Sequence, residues 1–579
     1  MKKLFKYLKN YKKECVIAPS FKMLEALFEL FVPLVMTKII DEGIKALNTS
    51  VVIKNGIILF LLGFVGLTCS LIAQYFAARA AIGFANGVRK DLYKKILSFA
   101  HENTDKIGSS SLITRMTNDI NSVQNGVNMV LRLALRSPFI VFGAMIMAFT
   151  INVKAAIIFT LVIPILFVIV SYITFTTIPR YKNIQKTLDK LTLHVRENLS
   201  GARVIRAFDA SDEEEKEFNE DNDLFYRMNI VTSRISAVLN PATIIIVNLA
   251  LVVVIYQGGN FVNNGILTNG QVIALINYMS QILIELVKLT NLFVTINKAL
   301  ASAGRISDTL STEVALSDDG KLNAEEASDL GDTVLEFRDV SFAYPGAGDN
   351  CLENISFKLH KGETVGIIGA TGSGKSSLSH LMMRFYDTGS GSVIYKGNDV
   401  KDYTLTSLRK AISIVPQKAQ LFSGSVRDNL TLGCKDNPVS DERIWEALSL
   451  SEAREIIEKK GEGLDYMITE AGSNLSGGQK QRLTIARALC EDSSLLILDD
   501  SSSALDYATD ARLRANLKSL KDRLSVIIIA QRVVSVKDAD HILVLEDGRM
   551  AGFGTHDELL ATCDVYKEIV ASQSGKEAM

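Results

Sequence analysis

Residues 369–376 read Gly369-Ala-Thr-Gly-Ser-Gly-Lys375-Ser376, and they sit between a β-rich run, 364–368, and a run with helical spacing. Glycines at 369, 372 and 374, with Thr371 and Ser373 between them, let backbone N–H groups crowd around phosphate oxygens. The helix that follows adds the positive end of its dipole. Lys375 is then placed to reach the β and γ phosphates of a nucleoside triphosphate. Ser376 offers a hydroxyl to Mg2+, and Ser377 continues the phosphate-binding turn. A second signal, Leu495-Leu-Ile-Leu-Asp499, has the composition of a buried strand and ends in a carboxylate suited to Mg2+ or its water. Between the two lies Leu475-Ser476-Gly477-Gly478-Gln479, a turn that opens a helix and again presents unshielded N–H groups to an anion.

These residues need a scaffold. From Val334 onward β-rich segments (334–342, 364–368, 495–498, 525–529) alternate with helical ones, the pattern of an α/β domain expected over 334–579. Residues 307–332 carry eight acidic residues and one lysine without hydrophobic period, so 307–333 reads as a solvated linker. Residues 1–306 differ in kind. Uncharged apolar runs at 56–78 and 155–179 are long enough to cross a bilayer, and 235–284 contains no Asp, Glu, Lys or Arg. Polar residues from Gln257 to 265 divide that last run into two spans. A further span is expected at 130–151, with Arg132 and Arg136 snorkelling to the interface. The first, 16–40, includes Lys22, Glu25 and Glu29, which must either face a cavity or pair with one another; Glu285 and Lys288 pose the same choice. Six spans are expected in all.

With 48% hydrophobic and 22% charged residues, a wholly soluble or disordered chain is excluded. The formal net charge of -1 excludes a global pull toward nucleic acid. The cysteines at 15, 69, 351, 434, 490 and 563 form no Cys-x-x-Cys pair, so neither a zinc site nor a disulfide framework is expected. Six lysines in the first fourteen residues read as a basic amphipathic segment on a membrane surface, without a cleavable signal. Basic residues in the connections on one side of the membrane number 25, against 3 on the other, which puts both termini and the two long connections, 79–136 and 180–234, in the cytoplasm. Those connections read as cytoplasmic extensions of the membrane helices, with turns expected at 109–118 and 208–213.

In this order and context, the motifs resemble the ATP-binding cassette family, and the resemblance covers nearly the whole chain. It implies an α-helical membrane domain of six spans with long cytoplasmic helix extensions, followed by an α/β P-loop cassette that binds ATP and Mg2+. Six spans with one cassette on the same chain are similar to exporters rather than importers. The resemblance further implies that Tyr344 stacks on adenine, that Gln417 senses Mg2+, that Ser503-Ala-Leu-Asp506 touches an opposite cassette, and that Thr469-Glu470 contacts the cytoplasmic turns. In the family two cassettes sandwich two nucleotides, each between one phosphate loop and the other chain's Ser-Gly-Gly signature.

The sequence departs from the pattern at two places. Where the family has a glutamate after the magnesium aspartate, this chain has Asp500, one methylene shorter. Where it has a histidine after the strand 525–529, this chain has Gln531, whose neutral amide cannot carry a proton as imidazole can. The six histidines, at 101, 194, 360, 380, 541 and 556, supply no replacement there. The expectation is a site that holds ATP and cuts it slowly, paired in a heterodimer with a second half-transporter. That complex would sit in the cell membrane among its lipids and export amphipathic small molecules, drugs or lipids. Two other readings stand beside it: an ATP-gated regulatory or channel-like membrane protein, and a slow homodimeric exporter.

Overall fold

The computed structural model describes residues 4–326, 331–434 and 438–574; Lys2 and Lys3 of the basic start and residues 327–330 of the acidic linker lie outside them. The chain forms two compact units. One comprises Met1–Ser98 and Gly108–Thr312, the other Phe99–Ile107 and Glu313–Met579.

The first unit is helical: α1 (Lys12–Lys38) and α2 (Thr49–Leu97), then, past α3 (His101–Ile107) of the second unit, α4 (Ser109–Thr114), α5 (Ile120–Leu133), α6 (Arg136–Ile151), α7 (Val153–Ser200), α8 (Ala202–Ala207), α9 (Ser211–Ala237), α10 (Leu239–Asn263) and α11 (Asn269–Ser311). Local chemistry fixes where the long helices start. Asn48 accepts from the Val51 N–H, Asn152 from the Ala155 N–H, and Thr268 with Gln271 forms a reciprocal capping box. Among the described residues five helical segments are long and apolar enough to cross a membrane: Thr49–Leu97, Ser109–Ile151, Val153–Ser200, Ser211–Asn263 and Asn269–Ser311. The expected first span, α1, is not apolar enough by composition alone, because of its three charges.

Those charges have partners inside the unit. Lys22 Nζ lies 2.5 Å from Glu25 and donates to Ser70 Oγ at 3.0 Å. Glu29 pairs with Arg136 Nη2 at 2.7 Å, and Glu285 with Arg136 Nη1 at 2.6 Å. Ser137 Oγ and Lys288 Nζ complete Glu285 at 2.7 and 2.8 Å. Arg136, expected to snorkel, is instead buried, with a side chain 7% exposed beside a Glu285 that is 3% exposed. A guanidinium at that depth is stable only with carboxylates around it. Three cations and three anions thus tie α1, α6 and α11 together.

Two further expectations are corrected. Residues 109–118 form no turn: they are helical, and Arg115 and Asp119 bond Thr309 and Arg305 of α11 at 2.6 and 2.8 Å. The break lies at α3 and Gly108, whose φ of +83° favours glycine. Helix α10 continues through Gln257 to Asn263, so the connection to α11 is confined to residues 264–268. The basic start packs on α2: Leu4 is buried, and Tyr7 meets Phe84 edge-on. The 208–213 region does hold a break, since α8 ends at Ala207 and α9 begins at Ser211.

The second unit contains two main sheets. An antiparallel one has the order β2-β1-β4-β5, from β1 (Thr333–Phe342), β2 (Leu352–His360), β4 (Ser390–Tyr395) and β5 (Asn398–Asp399). The other uses β3 (Thr364–Gly369), β6 (Ile412–Val415), β7 (Leu495–Asp499), β8 (Ser525–Ile529), β9 (His541–Glu546) and β10 (Arg549–Gly554), in the order β10-β9-β3-β8-β7-β6. All its pairings are parallel except β9 with β10. Strands β7 and β8 are buried along their whole length, which their unbroken Leu, Ile and Val runs require.

Candidate nucleotide-binding site

In an open parallel sheet, ligands bind beyond the carboxyl ends of the strands. Here the adjacent strands β3, β8, β7 and β6 end at one edge, so the segments after them bring residues 369–376, Gln531, Asp499 with Asp500, and Gln417 side by side.

The phosphate loop leads into α12 (Lys375–Met382). Gly372 and Gly374 take φ of +88° and +93°, the left-handed region that costs glycine little. Lys375 Nζ donates to the carbonyls of Gly369 at 2.8 Å and Ala370 at 2.7 Å, and approaches Ser373 Oγ at 3.5 Å. All three partners are neutral. Burial holds the Lys375 ammonium below its usual pKa, opposed by the charges of Asp500 and Asp499. Asp499, 6% exposed, accepts from Ser376 Oγ on Oδ1 at 3.3 Å and from Ser379 Oγ on Oδ2 at 3.1 Å. Burial pushes its carboxyl above the ordinary aspartate value. A serine hydroxyl beside a carboxylate is a hard oxygen donor pair. It fits Mg2+, which takes one or two carboxylates and fills its shell with water and phosphate oxygens.

The two positions that depart from the family pattern meet each other. Gln531 Nε2 donates to Asp500 Oδ2 at 2.9 Å, and Gln417 Nε2 donates to the same oxygen at 3.1 Å. Asp500 is 8% exposed and sits at φ +45°, a left-handed conformation that Asp tolerates better than most side chains. Gln417 therefore turns its amide nitrogen to Asp500 rather than to Asp499.

On the other flank the Tyr344 hydroxyl lies 3.0 Å from Ser377 Oγ and 3.2 Å from His380 Nδ1. Its ring packs edge-on against Phe342 and Tyr386 at 4.9 and 5.3 Å. The remaining residues stand apart. Ser476 caps α13 (Gly477–Cys490) in a reciprocal box with Gln479. A Cβ on Gly477 would meet nothing, while one on Gly478 would crowd the Ala504 carbonyl at 3.1 Å. Asp506 caps α14 (Tyr507–Lys518), accepting from the Thr509 N–H and hydroxyl at 2.9 Å each, and these bonds hold its carboxyl below the usual range. Among the described residues no hydrogen bond ties Ser476, Gln479 or Asp506 to the cluster at Lys375. Ser379 and His380 were not singled out from the sequence. Their signal is spacing, since each falls three residues after Ser376 or Ser377 on one helix.

A membrane-spanning helical unit joined to a P-loop α/β unit defines an ATP-binding membrane transporter. Two family descriptions match the chain: "ABC transporter transmembrane region" over residues 16–286 and "ABC transporter" over residues 352–503. The ABC transporter ATP-binding protein YfiB of Bacillus subtilis is 35% identical over 577 residues, covering 100% of this chain and 99% of that one. The ATP-dependent lipid A-core flippase of Salmonella typhimurium is 30% identical over 575 residues, 99% of this chain and 98% of that protein. A solved structure of a bacterial Atm1-family ABC exporter with ATP bound has the same fold, with a TM-score of 0.79 over 97% of this chain and 98% of that one at 22% identity. The chain belongs to the ABC transporter family and has the architecture of its exporters.

Proposed function

We propose that this chain is one half of a heterodimeric, ATP-driven exporter that moves amphipathic small molecules, drugs or lipids, out of the cytoplasm. Its own phosphate loop, Ser376 and Asp499 hold MgATP at a slow site, and Ser476, Gly477 and Gly478 serve a competent site whose phosphate loop, glutamate and histidine come from the partner. ATP supplies the energy when its terminal phosphate is cleaved at that competent site. The substrate class rests on the apolar helices and on the likeness to a lipid flippase. The 25 against 3 bias of basic residues supports a cytoplasmic cassette and cytoplasmic termini.

The observation that carries the slow site is the double amide contact on Asp500. A water poised to attack the γ phosphate needs an acceptor for its proton. Here Asp500 Oδ2 already receives Gln417 and Gln531, and neither amide takes up a proton at neutral pH. Losing a positioned general base costs about 10²–10⁴ in rate. The grip is left intact, because Lys375, Ser376 and Asp499 stand on a separate loop and strand. Gly477 supports the second role: its open surroundings leave the start of α13 free for the phosphates of a nucleotide held by another chain.

The test is ATPase activity of this chain alone, then co-purified with a half-transporter carrying Glu and His at the two altered positions, then with that glutamate neutralised. The proposal expects low, high and low turnover in that order. Ordinary turnover by the chain alone would establish the homodimer instead. ATP binding without transport by any assembly would favour the gated, channel-like reading.

A further inference from the structure

We propose that His380 is a positioning residue for the adenine end of this site, holding the Tyr344 ring and linking it to His101 in the connection between α2 and α4. The inference rests on the reading of Tyr344 as the aromatic that meets adenine.

Ser377 and His380 lie three residues apart on α12, so they share one face and both reach the Tyr344 hydroxyl, at 3.0 and 3.2 Å. A phenol has one proton and can both donate and accept. The arrangement that satisfies every group has Tyr344 donating to the unprotonated Nδ1 of His380 and accepting from Ser377. Two bonds to one hydroxyl leave the ring little rotation, and the edge contacts of Phe342 and Tyr386 close off the rest. A stacking platform fixed before the base arrives costs less order to use.

The far side of His380 belongs to α3. The His101 ring stacks on Phe385 at 4.3 Å, and its centroid is 6.4 Å from that of His380. Arg409 lies 5.2 Å from the Phe385 ring. Tyr386, edge-on to Tyr344, donates to Asp105 at 2.7 Å. Asn103 fastens α3 by donating to the Glu313 carbonyl and accepting from the Ala315 N–H, both at 3.0 Å. Two routes therefore run from α3 to Tyr344, one through His101 and His380, the other through Asp105 and Tyr386. Burial holds His380 below its ordinary pKa, and His101 adds to this while Asp499 and Asp105 oppose it, which keeps Nδ1 available as an acceptor.

A residue that only fills space would affect every ligand of the phosphate loop alike. The experiment uses the purified full-length chain and measures affinity for MgATP and for magnesium tripolyphosphate, which has the phosphates but no base. His380→Ala is expected to weaken MgATP about fivefold to tenfold, the scale of one lost hydrogen bond, with tripolyphosphate changed less than about twofold. His380→Asn, whose amide oxygen can accept the phenol proton, should restore most of the loss. His101→Ala should weaken MgATP alone, by about twofold. Equal weakening of both ligands, or no change in MgATP, overturns the inference. If the unmodified chain binds tripolyphosphate as tightly as ATP, the adenine reading of Tyr344 fails first, and the inference falls with it. Should His380→Ala not fold, the His101→Ala and His380→Asn measurements decide between the same outcomes.

Discussion

Arg136, buried, and Lys375, partly buried, are two basic side chains that the chain treats in opposite ways. Arg136, in the helical unit, meets Glu29 and Glu285 directly and Glu25 at 3.9 Å. Lys375, in the α/β unit, meets only two carbonyls and a hydroxyl. Breaking a buried ion pair is costly because it leaves the other charge stranded, so a cation saturated by carboxylates is part of what keeps helices together. A cation bonded only to neutral acceptors, on which Asp499 and Asp500 act through space alone, has its partial burial offset less completely. Such a group is built for an anion that arrives from outside. The contrast separates a structural charge from a ligand-binding one without reference to motif.

The sharpest way to break the comparison is Arg136→Met. It strands Glu285, 3% exposed, with Lys288 and Ser137 as its remaining partners. The expected loss is about 3–5 kcal/mol of stability, read by thermal unfolding of the purified protein. Arg136→Met combined with Glu285→Leu should recover much of it, because the buried carboxylate is then gone and Glu29, which also loses Arg136, has a side chain 40% exposed to water. A single variant as stable as the parent would mean that the charges are cavity groups and not fastenings.

Next in size is the pair Asp500→Glu with Gln531→His, which tests the cutting side while leaving Lys375 alone. Restoring the longer carboxylate and an imidazole should raise the turnover of this chain's own site by about a hundredfold or more. Single-turnover cleavage in a complex whose partner site is inactivated reads that site directly. No gain would locate the block elsewhere than in the Asp500 contacts.

Lys375→Ala should then weaken MgATP about 10- to 100-fold, the range of a charge-assisted hydrogen bond to phosphate. In contrast to Arg136→Met, it should leave the melting temperature little changed, since the ammonium removed is partly buried and bonded only to neutral groups. A large drop in stability would erase the distinction between the two cations.

How much of this was legible in the sequence follows from where the partners lie along the chain. The phosphate loop, the strand ending in Asp499 and the Ser476 turn are contiguous, and contiguous residues share a local geometry that spacing alone dictates. The departures at Asp500 and Gln531 were legible as residue types. Their meeting on one oxygen was not, because Gln531 and Gln417 are 31 and 83 residues from Asp500. Arg136 was misread for the same reason: its carboxylates come from α1 and α11, 107 and 149 residues away. The expected turn at 109–118 failed on polarity. Arg115 and Asp119 look like loop residues in one dimension, but they are polar because they bond α11.

The smallest effect concerns acid, and it extends the comparison to a base that is kept neutral. His380 has no carboxylate within ion-pair reach among the described residues, and burial is the main reason its pKa lies below the ordinary histidine value. The folded state thus takes up a proton less readily than the unfolded chain does. By linkage, the stability His380 allows is fully present above about pH 6.5 and declines as pH falls from there through the lowered folded value. The melting temperature of the parent should drop over that window more than that of His380→Asn, which has nothing to protonate at this position. Parallel curves would mean that protonation is absorbed by Asp499 or Asp105, and that His380 belongs with Arg136 among the paired charges.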